Sequence, residues 1–382
     1  MDLTPSESQR MLRESVERFV AQHFGSVTRR QGADVPGKGH WKSFAELGWL
    51  GIPFAEAEGG FGGSPVEIGI VMEEFGRGLV SEPYLATVLL GGGLIEACGS
   101  PEQRRELLPR IAQGDLRLSF AHYEADPRRG LDVVGSTARG NGGGGWKLDG
   151  RKTAVLDAAI GDFHVVSARV ASGSSSGEIA LFLVPRGAAG LDMKDSSRLG
   201  GGRVANLAFD GVMLPPEARL GIDDALAAIE MVVDRALAAL SAEAVGLMRA
   251  VTEATIEYTK QRVQFGRALA SNQVIRHRLA DMYVACDEAR SMALRAALLV
   301  GQSGDCVSRA LAASGAKAKV GRCAMAVAEE AVQLHGAMGV TDELDIGLYF
   351  KRLMAFESVF GGSDYHLQRH AGLMTRAGRE RG

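Results

Sequence analysis

The sequence predicts an α+β protein in which a β-domain separates two helical domains. Residues 1–117 carry apolar residues at helical spacing, and residues 118–222 are short apolar runs between glycine, serine and proline clusters. Residues 223–382 form long helical patterns with short connections. Each pattern gives its elements one apolar face to bury. We therefore expect an N-terminal helical domain, a β-sandwich or barrel, and a C-terminal four-helix bundle.

The first helix is predicted over "SESQRMLRESVERFVAQHF", where Met11, Val16, Phe19 and Val20 recur at helical spacing. Ser6 can cap its first turn, because a serine hydroxyl accepts a hydrogen bond from a free backbone N–H there. Three more helices are predicted over "SFAELGWLGI", "VEIGIVMEEFGRGL" and "SPEQRRELLPRIAQG". The glycine-rich "AEAEGGFGGSP" between the first two of these is predicted as a loop.

The middle segment contains five short runs that are typical of strands, with turn-forming residues between them. They are "LRLSFAHYE", "GWKLDGRKTAVL", "FHVVSARV", "EIALFLVP" and "VANLAFDGVML".

Four helices are predicted in the last third of the chain. The first runs from "DDALAAIEM" to near Phe265 and Gly266, and the third stops at Gly336. The fourth begins near Thr341 and runs into "VFGGSDYH", where two adjacent glycines disfavour a continuous helix.

The composition is that of an ordinary soluble globular protein, with 46% hydrophobic and 23% charged residues and a net charge of −3. This charge gives no reason to expect nucleic acid or a membrane surface as a partner. The N-terminus lacks the pattern of a secretory signal, so we expect a cytoplasmic protein. The four cysteines have no metal-binding spacing, and we expect buried thiols and no metal site.

Long motifs in all three segments resemble the acyl-CoA dehydrogenase superfamily. They are "LGWLGIPFAEAEGGFGGSP" (47–65), "YTKQRVQFGRALASNQVIRHRLADM" (258–282) and "QLHGAMGVTDELDIGLYFKRL" (333–353). "MEEFGRGLVSEPYLATVLLGGG" and "FGGSDYHL" look most like the small subunits of heteromeric enzymes of the pimeloyl-CoA dehydrogenase type.

The resemblance implies a flavoenzyme that binds FAD between the β-domain, the bundle and a neighbouring subunit. Such enzymes convert an acyl-CoA to a trans-2-enoyl-CoA: a carboxylate takes the α-proton and the β-hydrogen leaves as hydride to the flavin. It also implies an electron-transferring flavoprotein as acceptor, and a homo- or hetero-oligomer, dimeric or tetrameric.

Two C-terminal segments match the family's motifs for the ADP half of FAD. Arginine suits this role because its planar guanidinium holds two phosphate oxygens at once. His335 is equally consistent with a helix cap, and Phe265 with a core residue. The matching residues are Arg262, Phe265, Gly266, Gln273, Gln333, Leu334, His335, Gly336 and Gly339.

The β-domain half of the expected flavin site departs from the family pattern. Tyr123 stands where a threonine is usual, and Ala154 stands where an aromatic ring packs on the flavin. Leu156 replaces a residue whose hydroxyl bonds the flavin N5 edge, and leucine has no such donor. We expect these changes to weaken flavin binding by this β-domain.

The usual catalytic carboxylate is also replaced. The family reads Glu-Gly-Thr where this chain has Gly361, Gly362 and Ser363, so the resemblance places Gly361 at the base and Ser363 at the threonine, as a residue that contacts the cofactor. A glycine cannot accept a proton.

Some relatives carry the base on the first bundle helix, where Asp234 and Glu243 are the candidates in this chain. They are nine residues apart, on opposite sides of a helix, so both cannot face one pocket. Asp234 is equally consistent with a solvated ion pair beside Arg235, Glu243 with a buried hydrogen-bonding group, and Glu357 with a helix-surface acid.

Three functions remain open at this point. The first is a subunit of a heteromeric acyl-CoA dehydrogenase whose sister chain supplies the base. The second is a self-sufficient dehydrogenase that uses Asp234 or Glu243. The third is a protein that binds acyl-CoA or FAD without turnover.

Overall fold

The computed structural model describes residues 4–25, 39–126, 130–170, 177–221, 224–302, 304–341 and 343–379. Its N-terminal part is helical, as predicted. The elements are α1 Glu7–His23, α2 Trp41–Glu46, α3 Pro65–Gly78, a π-helical segment Leu85–Gly92, α4 Gly93–Cys98 and α5 Pro101–Ala112.

Serine capping boxes begin three of these helices. The predicted Ser6 cap is confirmed: its Oγ accepts from the Gln9 N–H, and the Gln9 side chain accepts from the Ser6 N–H. Ser64 and Ser100 make the same arrangement at α3 and α5. Each box satisfies two backbone donors that a helix start leaves open.

The middle part is one seven-stranded sheet. Its order is β1-β4-β2-β3-β7-β6, and β5 pairs with β4. β4 runs parallel to β1 and β2, and the other pairings are antiparallel. The strands are β1 Leu118–Ala121, β2 Thr137–Gly140, β3 Trp146–Leu156, β4 Phe163–Val170, β5 Ile179–Pro185, β6 Leu191–Ser197 and β7 Arg203–Leu214.

The C-terminal part is a helical bundle with one helix more than predicted, since a new helix starts at Ser363. The elements are α6 Leu226–Gln261, a hairpin of β8 Val263–Gln264 and β9 Arg267–Ala268, α7 Gln273–Val300, α8 Cys306–His335, α9 Ile346–Ser358 and α10 Ser363–Arg379. The predicted domain boundary between residues 222 and 223 lies outside the described residues.

Two bounds differ from the sequence prediction. α6 ends at Gln261, because Phe265 (φ +54°) and Gly266 (φ +79°) form the tip of the β8–β9 hairpin. α9, the predicted fourth helix, starts at Ile346 rather than near Thr341. The predicted stop of α8 at Gly336 is confirmed, since α8 ends at His335.

Three hydrophobic clusters hold the fold together: one joins the N-terminal helices to α6, one fills the bundle, and one lies in the β-domain. Three of the four cysteines are buried, but Cys306 is exposed at the start of α8, so the expectation of four buried thiols is wrong there. None of the described helices is both long and apolar enough to cross a bilayer.

Candidate active site between the β-domain and the bundle

A cavity of about 1060 Å³ lies between the β-domain and the last two bundle helices. Its β-domain wall includes Tyr123, Ala154 and Leu156, and its bundle wall includes Gly361 and Tyr365. Residues far apart in sequence, predicted to flank the flavin and the substrate, therefore do share one cavity. Its volume is at the upper end of the range for small-molecule sites.

The bundle wall is a tight turn between α9 and α10, held from below by buried side chains. Lys317 Nζ donates to the carbonyls of Phe356 (2.8 Å) and Gly361 (2.9 Å). His366 Nε2 lies 2.9 Å from the Phe360 carbonyl. Burial lowers the pKa of Lys317 to about 8 and that of His366 to about 3. A neutral His366 can donate from Nε2. Lys317 and His366 therefore hold the carbonyls of the turn towards the interior of the bundle.

At Gly361 the backbone leaves no room for a side chain. Its φ is +100°, and an added Cβ would stand 2.4 Å from Tyr365 Cδ1. Real Cβ atoms do not approach other atoms so closely, and L-residues rarely adopt this φ. The position that corresponds to the family's base is therefore closed by both backbone and ring.

Ser363 and Glu357 bond to each other beside this turn. Ser363 Oγ donates to Glu357 Oε2 at 2.9 Å, and the Ser363 N–H donates to Oε1. Glu357 thus caps the start of α10 instead of standing free on a helix surface. Ser363 is buried and is not part of the described cavity wall, so its predicted contact with the cofactor has no support in this geometry.

Asp234 lies in a buried ion-pair cluster, away from the described cavity wall. Its side chain is fully buried and accepts from Arg309 Nε at 3.2 Å and from Arg369 Nη1 at 2.7 Å. Arg369 also donates to Ser314 Oγ. The expectation of a solvated pair with Arg235 is wrong, because both carboxylate oxygens face other arginines. This cluster joins α6, α8 and α10.

Glu243 is buried and paired with Arg352, whose Nη2 lies 2.7 Å from Glu243 Oε1. The expectation of a buried hydrogen-bonding group is confirmed. Arg352 also donates to the carbonyls of Val80 and Gly200, so one guanidinium connects all three domains. Glu243 faces a separate cavity of about 30 Å³, which shares Leu156 with the large one.

The β-domain wall of the cavity offers little to a flavin ring. Ala154 sits at φ +54° in an irregular part of β3, where its N–H donates to Asn206 Oδ1 at 3.1 Å. The Tyr123 ring lies 5.8 Å from that of Phe360 across the cavity. Ala154 and Leu156 supply neither the stacking ring nor the hydroxyl that the resemblance implies at these two positions, although Thr153, Ser196 and Ser197 also line this wall.

The sequence analysis missed two carboxylates on this wall, Glu124 and Asp126. Glu124 accepts from Lys152 Nζ at 2.8 Å and from Ser136, and these contacts lower its pKa despite partial burial. Lys152 is fully buried, also donates to the His122 carbonyl, and has its pKa lowered to about 8. Nothing in the sequence of β3 indicated that Lys152 would be buried.

The predicted diphosphate residues lie on the exposed β8–β9 hairpin. Phe265 is 101% exposed at the tip, so it is not a core residue. Arg262 directly follows α6 and is exposed, and within the described ranges its guanidinium has no partner. A free guanidinium beside an exposed ring is available to a ligand or a neighbouring chain.

The second cofactor segment lies next to this hairpin. The rings of Tyr258 and His335 stack at 4.2 Å, which joins the end of α6 to the end of α8. His335 Nδ1 bonds the Ala331 carbonyl, and the ring is buried, which supports its helix-end role over a cofactor contact. Gln273 and Gln333 are exposed, Leu334 is buried, Gly336 is exposed, and Gly339 is packed against Val332 and His335.

Three family models match nearly the whole chain. They are the acyl-CoA dehydrogenase N-terminal domain over residues 6–115, the middle domain over 123–212 and the C-terminal domain over 226–372. The probable acyl-CoA dehydrogenase YngJ of Bacillus subtilis is 30% identical over 91% of this chain and 92% of its own. The chain belongs to the acyl-CoA dehydrogenase family.

Two solved structures are informative neighbours of this fold. One is the ChsE4-ChsE5 complex from Mycobacterium tuberculosis, with 26% identity, a TM-score of 0.85 and coverage of 98% of this chain and 99% of the other. The second is a glutaryl-CoA dehydrogenase from Mycobacterium smegmatis in complex with FADH2, with 25% identity, a TM-score of 0.85 and coverage of 97% and 95%.

These comparisons confirm the predicted superfamily, the α–β–α fold and FAD as the cofactor of the family. The likeness to the pimeloyl-CoA type stays a prediction. Among the described residues, no group of three or more metal-ligating side chains is found.

Proposed function

We propose that this chain is one subunit of a heteromeric, FAD-linked acyl-CoA dehydrogenase, and that a sister chain supplies the catalytic base. The geometry at Gly361 supports this most strongly, because neither the backbone nor the Tyr365 ring leaves space for a carboxylate there. A positioned base is typically worth about 10²–10⁴-fold in rate. A chain without one needs another source for it.

Three acids in the described part of the chain, Asp234, Glu243 and Glu124, are poor replacements for the base. Asp234 and Glu243 are each committed to arginines, and removing either would leave a buried cation unpaired. Glu124 faces the cavity, but its contacts with Lys152 and Ser136 lower its pKa. A carboxylate with a lowered pKa is a weaker base. These contacts argue against a self-sufficient enzyme.

The ADP half of FAD fits the residues present. Arg262 is exposed and unpaired within the described part of the chain, which suits bidentate binding of a diphosphate. Gln273 and Gln333 lie exposed on neighbouring elements and can donate to ribose or adenine. Phe265 is fully exposed, so its ring is free to stack on the adenine.

The flavin half fits this chain poorly. FAD, when bound, supplies the acceptor for the hydride that leaves the β-carbon. At the two positions that the resemblance places against the ring, Ala154 and Leu156 offer apolar contact only. We therefore infer that this chain binds the ADP end of a cofactor whose ring lies in the sister chain.

Exposed apolar side chains support an assembly. Val263 and Phe265 on the hairpin, Val274 on α7 and Val340 beside Gly336 are all more than half exposed near the same end of the bundle. Covering such residues is a common role of a subunit interface. The neighbour of this fold that is described as a ChsE4-ChsE5 complex is itself made of two different chains.

The test is to purify the chain alone and together with an acyl-CoA dehydrogenase chain that carries the glutamate. We expect the single chain to lack the visible flavin spectrum. The mixture should contain one FAD per heterodimer and reduce an artificial electron acceptor with acyl-CoA. A single chain that holds stoichiometric FAD and oxidises an acyl-CoA would refute the proposal.

Arg262→Ala provides a second test in the assembled complex. Loss of a bidentate phosphate contact, worth about 1.5–3 kcal/mol, should weaken FAD binding by about 10- to 150-fold, measured by flavin fluorescence. Arg267→Ala, on the same exposed hairpin, is the matched control and should change little. Equal effects of the two changes would show that Arg262 has no specific phosphate contact.

A binding protein without turnover is the second candidate, and the large cavity without a base favours it. It predicts acyl-CoA binding by calorimetry for the chain alone and no electron transfer in any mixture. Turnover in the mixture rejects this alternative.

A further inference from the structure

The ring of Tyr365 lies where a catalytic side chain would be. Tyr365 is in the first turn of α10, and its Cδ1, Cε1 and Cγ would stand within 3.1 Å of a Cβ at Gly361. The residue also forms part of the cavity wall. The missing carboxylate has therefore left no vacant space, because an aromatic ring fills it.

The Tyr365 hydroxyl is available to a ligand. No hydrogen-bond partner for it exists within the seven described ranges, although the residue is partly buried. Burial raises the pKa of the phenol, so it stays protonated at neutral pH. A protonated phenol donates a hydrogen bond but does not remove a proton from an α-carbon.

Charged groups of both signs face this cavity. Its wall includes Lys194 and Arg198 as well as Glu124 and Asp126. The hydrogen bond that the phenol can donate, and not the charge of the wall, is therefore the basis for selecting a ligand.

We propose that Tyr365 positions the acyl chain in this cavity, by donating a hydrogen bond to a carbonyl or hydroxyl oxygen of that chain. This inference rests on the proposed function only in the premise, shared with the binding-protein candidate, that this cavity binds an acyl-CoA. It assigns the cavity to oxygen-bearing acyl groups.

The experiment compares two CoA thioesters of equal chain length: octanoyl-CoA and a keto-octanoyl-CoA with the ketone near the chain end. Binding to the assembled complex is measured by calorimetry. We expect the keto compound to bind about 10-fold more tightly than octanoyl-CoA, the gain of one hydrogen bond to a neutral donor.

Tyr365→Phe removes only the hydroxyl. It should abolish the preference for the ketone and leave the affinity for octanoyl-CoA unchanged. Tyr283→Phe, at an exposed position on α7, should retain the preference. A preference that persists in Tyr365→Phe overturns the inference, and so does an equal loss for both ligands or an effect on FAD content alone.

The two proposals fail in different ways. If binding follows the expected pattern but no mixture turns over, the heteromeric enzyme is refuted while the role of Tyr365 stands. If the complex turns over but Tyr365→Phe changes no affinity, the role of Tyr365 is refuted and the enzyme stands.

Discussion

Replacing Gly361 by alanine should destabilise the protein through two separable effects. At φ +100° an L-residue is strained, which typically costs about 1–3 kcal/mol. The added Cβ also meets Tyr365 Cδ1 at 2.4 Å, and overpacking of this kind costs about 1–3 kcal/mol more. Because Lys317 and His366 hold the turn's carbonyls, it cannot relax freely. We expect a net loss of about 2–5 kcal/mol.

A double-mutant cycle with Tyr365→Ala separates these effects. Without the ring, Gly361→Ala should cost only the backbone part, about 1–3 kcal/mol, so the coupling energy should be about 1–3 kcal/mol. Chemical denaturation followed by circular dichroism gives all four stabilities. As a control, Gly372→Ala in α10, where nothing lies within 4 Å, should stabilise by about 0.5–1 kcal/mol.

Two results would contradict this reasoning. A cost of Gly361→Ala below about 0.5 kcal/mol would mean that the backbone at this position is not left-handed. An equal cost with and without the ring would mean that Tyr365 does not cover Gly361, and the further inference would lose its geometric basis.

Three further predictions concern single side chains. Asp234→Asn should destabilise the chain by about 3–5 kcal/mol in denaturation, because it leaves two arginines uncompensated, whereas exposed Asp364→Asn should change stability by less than about 0.5 kcal/mol. Lys317 has a folded-state pKa of about 8 against an ordinary 10.5, so the unfolded state binds more protons between these values. As the pH rises over this range, the wild type should gain stability relative to Lys317→Met, measured by denaturation. It should show no such gain relative to Lys319→Met, a change at an exposed lysine. Phe265→Ala should leave the stability of the single chain unchanged, because the ring is fully exposed, but weaken the complex in sedimentation velocity; an unchanged complex would exclude this ring from the interface.

Much of the fold follows from local patterns in the sequence. The helix starts at Ser6 and Ser100 carry their own capping chemistry, and the five apolar strands stand out by composition. β2 and β6 were missed for a physical reason. "TARG" is short and partly polar, and "LDMKDSS" is an edge strand whose residues are all at least partly exposed, so neither has the apolar run that marks a strand.

The site is only partly visible in the sequence. The resemblance indicates that Gly361 occupies the position of a base, and this comparison needs no structure. It does not indicate the conformation of that glycine, because φ depends on the contacts of Lys317 and His366 with the turn. Nor does it show that Asp234 is buried between two arginines, since its partners are 75 and 135 residues away in sequence.

A lost catalytic residue has two possible consequences for a protein, and the structure distinguishes them. A simple deletion would leave a void beside Gly361, and such a site could regain a glutamate by one substitution. Here Tyr365 fills that volume and the backbone has a conformation that suits glycine, while Asp234 and Glu243 are held by arginines and Glu124 by Lys152. Placing a base at position 361 would require at least two coupled changes. These features support the proposed subunit, which would bind and position its ligands while its partner performs the chemistry.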